Sequence, residues 1–240
     1  MSEADFGKTF VLVPGASLGG WSWYPVARLL RARGYRVVTP TLPGLSYGSS
    51  PAGLRLADAV DFVAGEVERR DLRDVVLVGH SLGGYPATGA AHRVADRVSH
   101  VIYYNAVVPA RGVSMADENA EIGQFVRASI AASPEGTVPF PLDAVRMVLM
   151  QDAPTELQHL VFAMMLPTPG GYMVDALDVP AVTEIGLDAA YVLGVDDRSL
   201  ARPGAEFAAR LGVEPLLVPG SHMALLTHPE SVADAFVSLL

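Results

Sequence analysis

The sequence predicts an α/β domain in which a mostly parallel central sheet carries helices on both faces and a helical segment is inserted. Three observations predict it. Short β-branched, apolar runs alternate with longer runs of helical spacing from Thr9 to Ala106. The alternation breaks across 110–186, where Pro134, Pro139, Pro141, Pro154, Pro167 and Pro169 punctuate a helical, loop-rich stretch. Strand character then returns at 189–193 and 215–218, each run followed by a further helical pattern. The expected division is a core of 1–109 and 187–240, with 110–186 as an inserted helical cap over a site.

Thr9, Phe10, Val11, Leu12 and Val13 form the first clear strand, closed by Pro14 and Gly15. Residues 21–33 read as a helix with Trp23, Val26, Leu29 and Leu30 on one face, stopped by Gly34. A second strand is expected at 36–39, before the loop opened by Pro40, Pro43 and Gly44. In 56–70, Val60, Val63 and Val67 recur at helical spacings. The run 74–78 is the continuous apolar kind of strand that a parallel sheet buries on both faces. A helix is expected from Ser81 to about Val94, a strand at 100–106, and closing helices at 203–211 and 229–240.

Half of the 240 residues are apolar and the formal net charge is −9. An acidic chain without a basic run argues against nucleic acid or an anionic membrane as partner. The absence of cysteine excludes disulfides, thiolate catalysis and cysteine-based zinc sites. Residues 1–8 are polar and lack the basic start and apolar stretch of a secretory signal. No apolar run reaches the ~20 residues of a membrane-spanning helix. A cytoplasmic protein is expected, and a homodimer is left open.

Gly79-x-Ser81-x-Gly83 follows a buried strand and precedes a helix. A glycine-rich strand–helix turn could share that spacing without chemistry, so its context carries the reading. In a tight turn, small flanking residues let the backbone hold the serine hydroxyl clear of its neighbours. The helix that starts there aims N–H groups and the positive end of its dipole at a developing oxyanion. Ser81 is the expected nucleophile, and the Leu82 N–H is one expected oxyanion donor. The second donor is expected from the small-residue loop 14–20 after the first strand.

A serine nucleophile needs a base. Of the six histidines, His80 sits inside the turn with its side chain expected to point away from the site. His92 and His100 flank a helix–strand connection, His159 lies in the insertion, and His228 sits at a capping position before Pro229. His222 follows the last strand, at the same sheet edge as Ser81, and is the expected base. The acid that orients it must also lie at that edge. Strand 189–193 runs into Asp196 and Asp197, and both give the chain order Ser, Asp, His. Asp197 is preferred, leaving Asp196 open.

Phe10-Val11-Leu12-Val13-Pro14-Gly15-Ala16 with Gly19-Gly20-Trp21-Ser22-Trp23, Gly79-His80-Ser81-Leu82-Gly83-Gly84 and Gly220-Ser221-His222-Met223-Ala224 together resemble a known family. It is the α/β-hydrolase branch that contains plant methylesterases, salicylate-binding esterases and hydroxynitrile lyases. The likeness runs through the core in order and is vague across 110–186. It implies the α/β-hydrolase fold and an ester-cleaving enzyme without metal or organic cofactor, with Asp197 as the acid and Ala16 as the second oxyanion donor. Hydroxynitrile lyases of this branch typically carry threonine after a first-loop histidine and lysine after the catalytic histidine. Here Gly15 and Met223 stand there, which resembles the esterases. One departure is Pro14, where the family usually has histidine; proline offers neither an N–H nor an imidazole.

The expected reaction is acyl-enzyme hydrolysis of a small, largely apolar ester or lactone, by Ser81, His222 and Asp197 with Ala16 and Leu82 as the oxyanion hole. The alternatives are a non-hydrolytic lyase or cyclisation on the same residues, and a non-catalytic binding protein. Trp21, Tyr85, Phe125, Phe140, Phe162 and Met164 are candidate pocket residues, although such side chains more often pack into a core.

Overall fold

The computed structural model describes residues 7–240, so most of the polar start read above lies outside the described residues. β1 (Thr9–Val13) pairs in parallel with β2 (Arg36–Val38) on one side and β3 (Val75–His80) on the other. β3 pairs in parallel with β4 (Val98–Tyr104). Alternate side chains of these strands enter two apolar layers. Val11, Val13, Val75 and Leu77 pack with α2 (Leu56–Arg69) and α3 (Gly84–Arg93). Phe10, Leu12, Val76 and Val78 pack with α1 (Tyr24–Ala32) and the C-terminal helix. Burying each such side chain is worth roughly 1.5–3 kcal/mol, so burial on both faces, more than local propensity, fixes these strands.

After β4 the chain leaves the sheet. It forms α4 (Ala120–Ala132), β5 (Thr137–Val138) and α5 (Leu142–Ala144), which runs into a π-helical turn at Val145–Leu149. It continues through α6 (Thr155–Met164), β6 (Thr168–Pro169), antiparallel to β5, and α7 (Gly171–Val174). The Asn119 side chain caps α4 by accepting from the Glu121 and Ile122 N–H groups at 2.9 and 3.2 Å. Two carboxylates tether this segment to the core through ion pairs. The Glu118 carboxylate is fully buried and accepts from Arg210 at 2.6 and 2.8 Å and from Arg202 at 3.0 Å. Asp175 accepts from Arg55 Nε at 2.8 Å, at the start of α2.

β7 (Asp188–Gly194) pairs in parallel with β4, and after α8 (Gly204–Ala209) β8 (Leu216–Val218) adds to it in parallel. α9 (Ala224–Thr227) and α10 (Pro229–Ser238) end the chain's described elements. The six-stranded sheet has the order β2-β1-β3-β4-β7-β8. From β1 the chain crosses to one side and from β3 to the other, so the order reverses between them. A crevice opens at the carboxyl ends of two such strands, and the loops that follow β1 and β3 are 14–20 and the turn bearing Ser81.

Some expected boundaries move for local reasons. The helix expected at 21–33 is a 3₁₀ turn, Gly20–Trp23, followed by α1, with Pro25 in the first helical turn, where its missing N–H costs nothing. The helix expected at Ser81 likewise opens with a 3₁₀ turn, Ser81–Gly83. The strand expected at 100–106 begins at Val98 and ends at Tyr104, because Asn105 takes a left-handed φ of 43°.

Candidate active site

Ser81 has a φ of 54°, which for a residue with a side chain is a strained conformation. Two hydrogen bonds hold it there: the Ser81 N–H donates to the Asn105 carbonyl, and the Val107 N–H donates to the Ser81 carbonyl, each at 3.2 Å. The glycines around it are required by close approach. A Cβ on Gly79 would lie 2.8 Å from the Gly83 carbonyl oxygen, one on Gly15 would lie 2.9 Å from Ser81 Cβ, and one on Gly84 would overlap the Val107 carbonyl. The glycine that opens the motif is therefore a packing requirement, as are Gly15 and Gly84 beside it.

Asp197 and His222 meet at the end of β7 and β8. His222 Nδ1 lies 2.8 Å from Asp197 Oδ2, and both side chains are almost fully buried, at 2% and 1% exposure. Asp197 Oδ1 accepts the Ser199 N–H at 2.8 Å. With Nδ1–H donating to the carboxylate, Nε2 is left as the basic nitrogen. Asp196 is exposed and only its backbone takes part, accepting from Gln151 at 2.5 Å and donating to Gly220 at 3.1 Å. Of the two aspartates left open by the sequence, the structure thus pairs Asp197 with the histidine.

Ser81, His222 and Ala16 line one cavity of about 410 Å³. Among the described residues the Ala16 N–H has no hydrogen-bond partner. The next residue, Ser17, is left-handed at φ 63° and is fixed from the inserted segment. Its N–H donates to Thr168 Oγ1 at 2.8 Å, and its carbonyl accepts the Leu166 N–H at 3.1 Å. Leu82 is buried behind the turn. Pro14 presents its carbonyl to Gly83, where a Cβ would meet it at 2.7 Å. Among the described residues no group of three or more His, Asp or Glu side chains is gathered as a metal would require.

Several expectations need correction. His80 does not point away: its ring packs 4.7 Å from that of His222, and its Nε2–H donates to the His222 carbonyl at 3.1 Å. Burial, with His222 alongside, holds this imidazole well below the usual histidine range, so it is neutral. Phe125 and Phe140 line the cavity, while Tyr85 is core and donates its hydroxyl to the Val113 carbonyl at 3.1 Å. Phe162 and Met164 are exposed. His228 does hold the expected N-cap position of α10, through its backbone; its Nδ1 lies 2.9 Å from Thr227 Oγ1. The sequence reading missed Asn105, a buried residue that bonds to the segments of Ser81 and His222. An asparagine closing an apolar strand was the only available signal.

A parallel sheet whose order reverses at a serine turn, with a buried Asp–His pair beside it, defines a hydrolase of the α/β class. The chain belongs to the alpha/beta hydrolase family, whose model matches residues 10–235. It is 42% identical over 108 residues to a carbendazim hydrolyzing esterase of Nocardioides sp. (strain SG-4G), a match spanning 44% of this chain and 45% of that one. It is 29% identical over 265 residues to a probable esterase, PIR7A, of Oryza sativa subsp. indica, covering 98% and 97% of the two chains. An extracellular α/β-hydrolase from a Paenibacillus species superposes with a TM-score of 0.90 at 24% identity, over 97% of this chain and 99% of that one.

Proposed function

We propose that the chain is a serine hydrolase that cleaves small, largely apolar carboxylic esters or lactones through an acyl-enzyme. The buried Asp197–His222 pair on the cavity that also exposes Ser81 carries the reading. The esterase names of its relatives support the reaction class. The apolar walls supplied by Val138, Phe140, Val148 and Phe125 support the substrate class, because an uncompensated charge or amide there would lose hydration without a partner. In this reading 110–186 is a cap over the site.

In the reaction, His222 Nε2 takes the Ser81 hydroxyl proton as Oγ attacks the ester carbonyl. The resulting oxyanion is met by the Ala16 and Leu82 N–H groups, and Asp197 stabilises the imidazolium. The proton passes to the leaving alcohol, and the acyl group stays on Ser81. Water then attacks, His222 again acting as base, and releases the acid.

The test is a panel of nitrophenyl and methyl esters of two to eight acyl carbons, with a simple lactone. Wild-type protein is expected to turn over the shorter esters, and Ser81→Ala to lose at least about 10³-fold in kcat. Near wild-type turnover by Ser81→Ala would remove the assignment.

A further inference from the structure

Asn105 lies one residue beyond β4, fully buried, in a left-handed conformation that asparagine tolerates better than most residues. All four of its polar groups are engaged, and each reaches a segment that carries one member of the proposed triad. Its N–H donates to the Val192 carbonyl at 2.9 Å, and its Oδ1 accepts the Gly194 N–H at 2.7 Å. Both partners lie on β7, which leads into Asp197. Its carbonyl accepts the Ser81 N–H at 3.2 Å. Its Nδ2 donates to the carbonyls of Ser221 at 3.3 Å and His222 at 3.1 Å.

We propose that Asn105 is a positioning residue that sets the mutual placement of nucleophile, acid and base; this rests on the triad assigned above. The three segments come from distant parts of the chain, and Asn105 bonds to all of them. A carboxamide supplies a donor and an acceptor at fixed separation, and here each end reads a different loop. Aspartate would keep the acceptor for Gly194 and set a second oxygen against two carbonyls. The neighbours are shaped to the same end. The His222 carbonyl also accepts from His80, so both of its lone pairs are committed. A Cβ on Gly194 would lie 3.2 Å from Asn105 Nδ2 and 2.7 Å from the Gly220 carbonyl oxygen, so glycine there lets β7 close on the histidine loop. A displacement near 1 Å between reacting groups costs about 10²-fold in rate, which is why such a junction acts on turnover.

Two variants test it. Asn105→Gly removes the amide and relaxes the left-handed backbone; Asn105→Asp keeps the size and the acceptor. Each is assayed for kcat and KM on nitrophenyl butyrate, with active sites counted by a fluorophosphonate. The expected result in either variant is a fall of about 10- to 100-fold in kcat per titrated site with KM within about twofold. A kcat per titrated site within twofold of wild type, with any deficit confined to melting temperature or to the fraction of titratable sites, overturns the proposal. Failure of both variants to fold overturns it too, because the amide would then be serving the fold as a whole. A Ser81→Ala control that stays active would instead sink the triad assignment, so the two failures are distinguishable.

Discussion

The two walls of the cavity are built by different means. The wall at the sheet edge holds Ser81 and His222, whose segments are tied to those of Asp197 and Asn105 by hydrogen bonds of 2.7–3.3 Å. The facing wall, from the inserted segment, is made of short elements and a π-helical turn and offers mainly apolar surface. On the proposed reading, the difference assigns reaction geometry to the sheet and selection by shape to the insertion. Substitutions in the two walls are therefore expected to separate, the first acting on kcat and the second on KM and chain-length preference.

The largest effect that would break or uphold this division is at the acid. Asp197→Asn is expected to lower kcat by about 10⁴-fold, because the amide favours the wrong imidazole tautomer. Asp196→Asn, on an exposed residue, is expected to stay within about twofold. Equal losses in steady-state assays of the two variants would mean that the pair seen at 2.8 Å is not the working one.

On the facing wall, Phe140→Ala and Val148→Ala are expected to move the preferred acyl length, with changes of up to about tenfold in kcat/KM between short and long esters. Their kcat on the best ester should change little. A uniform loss of kcat across the ester series would contradict the division.

The smallest effect is expected where the walls are joined. The Leu149 carbonyl accepts the Met223 N–H at 3.1 Å and the Ser221 hydroxyl at 2.8 Å. Asp152 Oδ2 accepts the Ser221 N–H and the Thr227 hydroxyl, each at 3.1 Å. Burial pushes the Asp152 carboxyl up, but these hydrogen bonds outweigh it and hold it below its usual value. A depressed folded-state value means that the carboxylate stabilises the fold above the unfolded value near pH ~3.9 and that this stability is lost as pH falls through the lower folded value. Asp152→Asn is thus expected to lower Tm by about 2–4 °C at neutral pH, and the gap to wild type should narrow in acid. A pH-independent gap in thermal melts would show that the charge is not what matters.

How much of this was legible in the sequence follows the same line. The strands of the core could be read because two-sided burial demands continuous apolar runs, as in Val75-Val76-Leu77-Val78. Ser81, Asp197 and His222 could be placed at one edge because each directly follows a readable strand. Asn105 and His80 could not be read, because their partners depend on how β4 and β3 register against distant loops. The inserted segment was legible only as a break in pattern. Whether Phe125 or Phe162 meets the cavity depends on packing that periodicity does not encode. Pro14 reads as a departure in sequence; in the structure its carbonyl faces Gly83, and the Ala16 N–H two residues on remains without a partner among the described residues.

The central claim is that Ser81 is an activated nucleophile, and a covalent label tests it most directly. Wild-type protein, His222→Ala and Ser81→Ala would be treated with an alkyl fluorophosphonate and followed by intact mass and peptide mapping. The account predicts one adduct per chain on Ser81 in the wild type, strongly slowed in His222→Ala and absent from Ser81→Ala. No adduct on the folded wild-type protein, or an adduct that persists in Ser81→Ala, would contradict it.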